Sequence, residues 1–203
     1  MRLDHLAVAA ASLAEGVAAV EAALGLALAG GGQHLAMGTH NRLLGLGDVY
    51  LEVIAVDPAL PAPDRPRWFD LDRFQGPPRL ANWVVACDDL GAALADAPDR
   101  AGVAMEFARG DLRWQMAVPG DGQLPYDAAY PALIQWQGPA HPTRVLPDSG
   151  ARLERLEVTH PRADALRAAL AGRLADPRVV ITNGPVKAIR AEVATPHGIR
   201  LLQ

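Results

Sequence analysis

GTHNRLLGLGDVYLEVIAVD, residues 38–57, decides how this chain is read. Two runs of strand-forming residues flank Gly47-Asp48, a dipeptide suited to a tight hairpin turn. The second run, VYLEVIAV, carries Glu52 among apolar residues, where a carboxylate is costly to bury unless something pairs with it. Side chains alternate along a strand, so Leu51, Val53 and Ala55 share one face while Tyr50, Glu52 and Ile54 share the other. Glu52 is therefore either one half of a cross-strand pair with Arg42 or a group that looks into a cleft. The length of the turn decides its neighbour: two residues bring Asn41 onto the Glu52 face, and three bring His40.

Upstream, LDHLAVAA reads as a strand with His5, Ala7 and Ala9 on one face and Leu6 and Val8 on the other. SLAEGVAAVEAALG then reads as an amphipathic helix, capped by Ser12 with Glu15 three positions on and ended by Gly25. The apolar Leu6/Val8 face takes the helix, which leaves His5 and Glu52 looking into the same space. A Gly-rich segment containing His34 precedes the hairpin as a rim able to contact a ligand. Residues 1–57 thus form a β-α-β-β-β module. Pro-rich sequence over 58–78 reads as a linker.

The same order of elements returns over 80–137, which marks an internal repeat. His5 precedes the helix cap Ser12 by seven positions, as Asn82 precedes Asp89. Asn82 is accordingly the counterpart of His5, and Gln135 in LIQW is matched to Glu52. Modules facing each other would place His5, Glu52, Asn82 and Gln135 in one cleft. A third β-α-β-β-β unit fills 151–203, with Leu153, Arg155 and Glu157 on one face of its first strand. The fold class is α+β, built from repeated modules with helices on the outer face.

On LDHLAVAA, the helix after it and GTHNRLLGLGDVYLEVIAVDP, with support from LPYDAAYPALIQW, residues 1–140 resemble the vicinal oxygen chelate superfamily, and within it the glyoxalase-like domain proteins. The resemblance implies a curved mixed sheet around a cleft formed by residues 1–137 together. It also implies that a strand-one His and a strand-four Glu, here His5 and Glu52, bind one divalent metal (Zn, Fe, Mn or Ni) that chelates neighbouring oxygens of a small metabolite, with His40 as a third ligand if the turn has three residues. The reactions implied are a lyase step, an isomerisation or a dioxygenase ring cleavage, with Glu52 and His5 catalytic. Neutral amides are weak ligands for such metals. Asn82 and Gln135 therefore also suit a metal-free protein that binds or sequesters a small molecule, or one in which Glu52 acts as a general base. His34, His40, Asn41, Asn82 and Gln135 are the candidate ligand-binding residues.

Composition narrows the alternatives. At 203 residues, half of them apolar, with a net charge of −4, the chain can bury a sizeable core. Its scattered basic residues form no cluster for nucleic acid, and its N-terminal apolar residues are interrupted too early to span a bilayer, so a cytoplasmic location is expected. Only two serines and one cysteine are present. Ser12 reads as a cap, Ser149 lies in a Pro/Gly loop and Cys87 reads as a buried inert thiol, which disfavours nucleophilic hydrolysis. Trp68, Phe69 and Trp114 read first as core or linker packing, and His141, His160 and His197 as solvent-facing. With modules one and two closing one cleft, the third unit has no partner within the chain. Packing against its own chain would bury Leu156, Val158, Leu166 and Leu170, whereas the apolar residues Ile189, Val193, Ile199 and Leu201 favour a two-fold homodimer.

Overall fold

Nearly every residue of β1 (Arg2–Ala9) is buried in the computed structural model, which describes residues 1–203. A strand apolar on both faces belongs in the middle of a sheet. β1 runs parallel to β4 (Tyr50–Val56) on one side and antiparallel to β5 (Arg79–Ala86) on the other. Outward from β4 come β3 (Thr39–Gly45) and β2 (Ala29–His34). Outward from β5 come β8 (Ala132–Gln137), β7 (Leu112–Val118) and β6 (Val103–Arg109). The two modules thus join through β1 and β5 into one eight-stranded mixed sheet. It curls until the edge strands approach, and Arg109 at the end of β6 donates 3.0 Å hydrogen bonds to His34 and Asn41 of the first module.

Helices cover the convex side. α1 (Leu13–Leu24) is capped by Ser12, whose hydroxyl accepts from Glu15 N, and stops at Gly25 in the left-handed conformation (φ 70°). Gly16 lets this helix approach β4, because a Cβ there would stand 2.5 Å from Val53 Cγ1. The shorter α2 (Leu90–Ala95) is capped by Asp89. Leu6, Val8, Val53, Trp83 and Leu133 face these helices, whereas Ala7, Ala9, Ile54, Val84 and Ile134 face the concave side.

The turn settles the hairpin register. Leu46 N donates to Val49 O at 2.9 Å across Gly47-Asp48, and Leu43 lies opposite Glu52 with Asn41 opposite Ile54. Asn41 therefore shares the Glu52 face, and His40 does not. The repeat is real but differs from the sequence match in its last strand. The parallel pairing β1–β4 places Glu52 beside Ala7 and Ile54 beside Ala9, while β5–β8 places Ala132 beside Val84 and Ile134 beside Ala86. The counterpart of Glu52 is thus Ala132 rather than Gln135, and Tyr50 aligns with Tyr130 at the same spacing. Matching Glu to Gln by shape overlooked a three-residue shift that only strand pairing fixes.

Two further expectations need correction. The 58–78 segment is more than a linker, since Trp68, Phe69 and Leu71 in its 3-10 turn (Trp68–Arg73) are buried against the concave face. The third unit also finds cover within its own chain. After the short α3 (Pro142–Val145) it comprises β9 (Arg152–His160), α4 (Ala163–Leu170), β10 (Val179–Asn183), β11 (Ala188–Thr195) and β12 (Gly198–Leu202). Its strand order, β10-β9-β11-β12, sets β9 beside β10 in parallel, a wiring different from the first two modules. An irregularity at Glu154 turns Leu153 onto the face of Leu156 and Val158, away from Arg155 and Glu157. These leucines join Ile189 and Val193 in the core beneath α1. Ile199 and Leu201 on the edge strand remain exposed. No helix is long and apolar enough to cross a membrane.

Because the third unit completes the convex core, Leu156→Ala should destabilise the whole chain by about 2–5 kcal/mol, read from denaturant midpoints. A chain ending at residue 150 should fail to give a soluble folded species, as judged by circular dichroism and sedimentation.

Candidate functional site

A β-bulge builds the centre of the site. In the β1–β5 ladder Leu3 pairs with Val85 and His5 with Val84, leaving Asp4 as the extra residue. The bulge turns Asp4 and His5 to the concave side together, so the carboxylate lies beside the ring it would otherwise face away from. Asp4 Oδ1 is 2.6 Å from His5 Nδ1. Asp4 Oδ2 accepts from Trp136 Nε1 at 2.9 Å and lies 3.0 Å from His141 Nε2. Ala81 is the extra residue of β5, at the position equivalent to Asp4, so the second module repeats the bulge without its acid.

On the other side of the ring, His5 Nε2 lies 3.6 Å from Glu52 Oε2. Glu52 Oε1 accepts from Asn41 Nδ2 at 2.5 Å. The ring stacks on Tyr50 with centroids 4.4 Å apart. Burial alone would discharge His5, but the hydrogen bonds and charges of Asp4 and Glu52 outweigh it and raise its pKa from 6.5 to about 9. Burial pushes the two carboxyl groups up, and their contacts reverse that: His141 and His5 hold Asp4 well below the usual carboxylate range, and His5 above all holds Glu52 at about 2. At neutral pH the centre is a buried imidazolium between two carboxylates.

A second cation completes it. Asn41 Oδ1 accepts from Arg109 Nη1 and from Gly32 N. Gly32 makes room for the arginine stem, since a Cβ there would stand 3.1 Å from Arg109 Cδ. His34 is neutral, its pKa lowered to about 4 by burial and by the Arg109 charge. Its Nε2 can therefore accept from Arg109, with Nδ1 donating to Thr39 Oγ1 at 3.0 Å.

These groups line a cavity of about 30 Å³, room for a water or two, walled by Tyr50, Trp68, Phe69, Trp114 and Trp136. Of the residues singled out in the sequence, His5, His34, Asn41 and Glu52 meet there. His40 points to the other face, 3.5 Å from Asp57. Asn82 is buried but outside the cavity, and its Oδ1 has no hydrogen-bond partner. Gln135 turns to the convex side, where its Oε1 accepts from Leu90 N at the start of α2, because β8 presents Ile134 and Trp136 inward. Trp68, Phe69 and Trp114 form the cavity wall. His141 packs on Asp4 and Trp136, and His160 is buried, so only His197 is solvent-facing. Arg42 bonds the backbone of Asn41 rather than Glu52. Asp4 and Arg109 went unnoticed in the sequence, and His141 was given no part in the site there. Asp4 beside His5 was the one legible signal, hidden by strict strand alternation.

The donor set does not fit a divalent ion. His5 and Glu52 are the only ionisable groups of metal-ligating type facing each other with a free atom, and no group of three His, Cys, Asp or Glu is placed to hold a metal. The Arg109 charge lies on the amide and imidazole that could have extended the set.

A family model described as a glyoxalase-like domain matches residues 3–174. No curated protein matches the chain. Among solved structures, a hypothetical protein from Staphylococcus aureus superposes with a TM-score of 0.62 at 14% identity, over 92% of this chain and 87% of that one, which establishes the shared fold. Methylmalonyl-CoA epimerase from Streptomyces coelicolor, in complex with 2-nitronate-propionyl-CoA, matches 69% of this chain and 99% of its own at 18% identity and a TM-score of 0.44. A hypothetical protein from Bacillus halodurans matches 68% and 95% at 15% identity and a TM-score of 0.44.

Since His5 has a higher pKa folded than the ordinary 6.5, its stabilisation is complete below about pH 6.5 and is lost as pH rises through about 9. Histidine NMR should find one ring still protonated at pH 8, and the urea midpoint should fall between pH 6 and 9.5. In Asp4→Asn only Glu52 opposes the effect of burial, so that ring should titrate lower than in the unmodified chain and the alkaline loss of stability should shrink.

Proposed function

Because the chain belongs to the glyoxalase-like domain family of the vicinal oxygen chelate superfamily, we propose that its cleft performs metal-free acid–base chemistry on a small carbonyl compound. The reaction class is an isomerisation that begins with loss of a proton from the carbon beside the carbonyl. The observation that carries this reading is the pairing of a protonated His5 with an ionised Glu52 across 3.6 Å, beside the fixed charge of Arg109.

The separation is too long for a tight hydrogen bond, so His5 Nε2–H is free to turn to a ligand oxygen. In the reaction it gives its proton to the carbonyl oxygen while Glu52 removes one from the neighbouring carbon, producing a neutral enol. Arg109 stabilises negative charge developing on the oxygen. Imidazolium and carboxylate become imidazole and carboxylic acid, so the net charge of the buried pair stays zero and no uncompensated charge is created. Return of a proton from Glu52 to carbon and of an enol proton to His5 restores the imidazolium and carboxylate; in the enediol of a 2-hydroxycarbonyl substrate, delivery of that proton to the former carbonyl carbon, with the other hydroxyl proton passing to His5, completes the isomerisation. Glu52 is a poor base while its neighbour is charged. It strengthens as His5 gives up its proton, which couples the two transfers. Asp4 is a positioning residue: it fixes the ring through Nδ1 and keeps Nε2 protonated.

A cavity of about 30 Å³ admits a carbonyl group only if an aromatic wall yields, and Phe69 at the start of the 3-10 turn is the side chain placed to do so. The reading is tested by incubating compact ketones and 2-substituted acyl compounds in deuterium oxide and following exchange at the carbon next to the carbonyl by NMR. Exchange that persists with a chelator present, and falls at least about 100-fold in Glu52→Gln, is the expected result. Saturable binding without exchange would instead favour a protein that sequesters its ligand, and activity abolished by chelation would overturn the metal-free assignment.

A further inference from the structure

A second cavity, of about 350 Å³, shares Phe69 with the cleft as a common wall. All six non-glycine residues with positive φ in the chain line it: Phe69, Asp70, Arg100, Tyr126, Asp127 and Ala128. L-residues disfavour this conformation. Tyr126, Asp127 and Ala128 adopt it in succession (φ 55°, 54° and 65°). Elsewhere the chain puts glycine at such positions, thirteen times, so the strain is confined to the wall of this one cavity. Strain of this kind persists where the surroundings enforce it, and it gathers at binding sites.

The wall also holds a guanidinium without a carboxylate partner. Of the two carboxylates on this wall, Asp70 pairs with Arg73, while Asp127 is largely exposed and meets the His160 ring. Arg100 pairs with Asp121 at the rim. The Arg162 guanidinium instead lies over the Tyr126 ring, 4.6 Å from its centre, and makes no ion pair with a carboxylate. The left-handed turn holds the Tyr126 ring beneath that guanidinium, leaving the edge of the guanidinium free to donate. Arg100, held by Asp121, lines the same cavity as a second guanidinium. A cavity with a free, ring-supported guanidinium matches an oxyanion.

We propose that this cavity binds the carboxylate end of an extended oxo-acid substrate, held by Arg162 and Arg100, and that the carbonyl end of the same molecule passes Phe69 into the cleft. The assignment of the carbonyl end rests on the proton-transfer reading above; the carboxylate site does not. The two cavities together give the length that the cleft alone lacks, with the anion outside and the reacting carbon beside His5 and Glu52.

The test uses the full chain and a series of linear methyl-ketone acids from 4-oxopentanoate to 9-oxodecanoate, each compared with the methyl ketone of the same length. Affinity is measured calorimetrically. Tryptophan fluorescence reports entry into the cleft, because Trp68, Trp114 and Trp136 line it. At the best length the acid should bind about ten-fold more tightly than its ketone, the scale of one charged hydrogen bond, and should change the fluorescence. The double variant Arg100→Gln/Arg162→Gln, checked for folding by circular dichroism, should erase the preference, and Arg162→Lys should restore part of it. Equal affinity of acid and ketone at every length, or a preference that survives in the double variant, overturns the site. A preference that depends on the arginines without any fluorescence change upholds the carboxylate site and refutes entry of the carbonyl end into the cleft. A fluorescence response equal for acids and ketones leaves the cleft reading standing and removes this one.

Discussion

The bulge at Asp4 is the constraint on which the site depends. Without the extra residue, strict alternation would send Asp4 to the convex side, into the core with Leu6 and Val8. With it, a carboxylate and an imidazole from adjacent positions face the same way, and their 2.6 Å contact makes the ring a stable cation in a buried place. That cation in turn allows Glu52 to be buried ionised. Each of the three charges would be costly alone; arranged in a row they satisfy one another. Asn41, Trp136 and His141 supply the remaining contacts.

The two modules show how far a repeated backbone can diverge in chemistry. Both keep the bulge and the parallel pairing of first and last strands. Where the first carries Asp4, His5 and Glu52, the second carries Ala81, Asn82 and Ala132, and its inward face is filled by Val84, Ala86 and Ile134. One half of the curled sheet is therefore polar and the other half apolar. The missing positive charge comes from the far edge of the sheet, as Arg109 on β6, and reaches the first module only because the sheet curls back on itself.

Support for this arrangement comes from opposite sides. The third unit seals the convex face together with α1 and α2 in one continuous core, which fixes the strands that carry His5 and Glu52. On the concave side the cover is lighter: Trp68 and Phe69 pack against Phe107 and the cavity, on a turn whose φ values at Phe69 and Asp70 are 59° and 57°. Rigidity behind His5 and Glu52 and a strained wall in front of them suit the proposed entry of a ligand into a cavity otherwise large enough only for water.

Alternation along VYLEVIAV and LDHLAVAA, together with the spacing of the helix caps, determined the module order, the helix-bearing face and the meeting of His5 with Glu52, because these follow from local periodicity. The Gly47-Asp48 turn left two registers open, and only the formed hairpin, with Leu46 N on Val49 O, chose Asn41 over His40. Asp4 escaped notice because a bulge breaks the periodicity on which the reading relied. Gln135 was misplaced because similarity of side chains says nothing about which residue a parallel strand sets beside Val84. Arg109, His141 and the burial of the third unit are contacts between residues far apart in the chain, set by the curl of the sheet and the packing of a second sheet on its back. Local sequence carries no record of such contacts; they exist only once the strands have paired and the layers have closed.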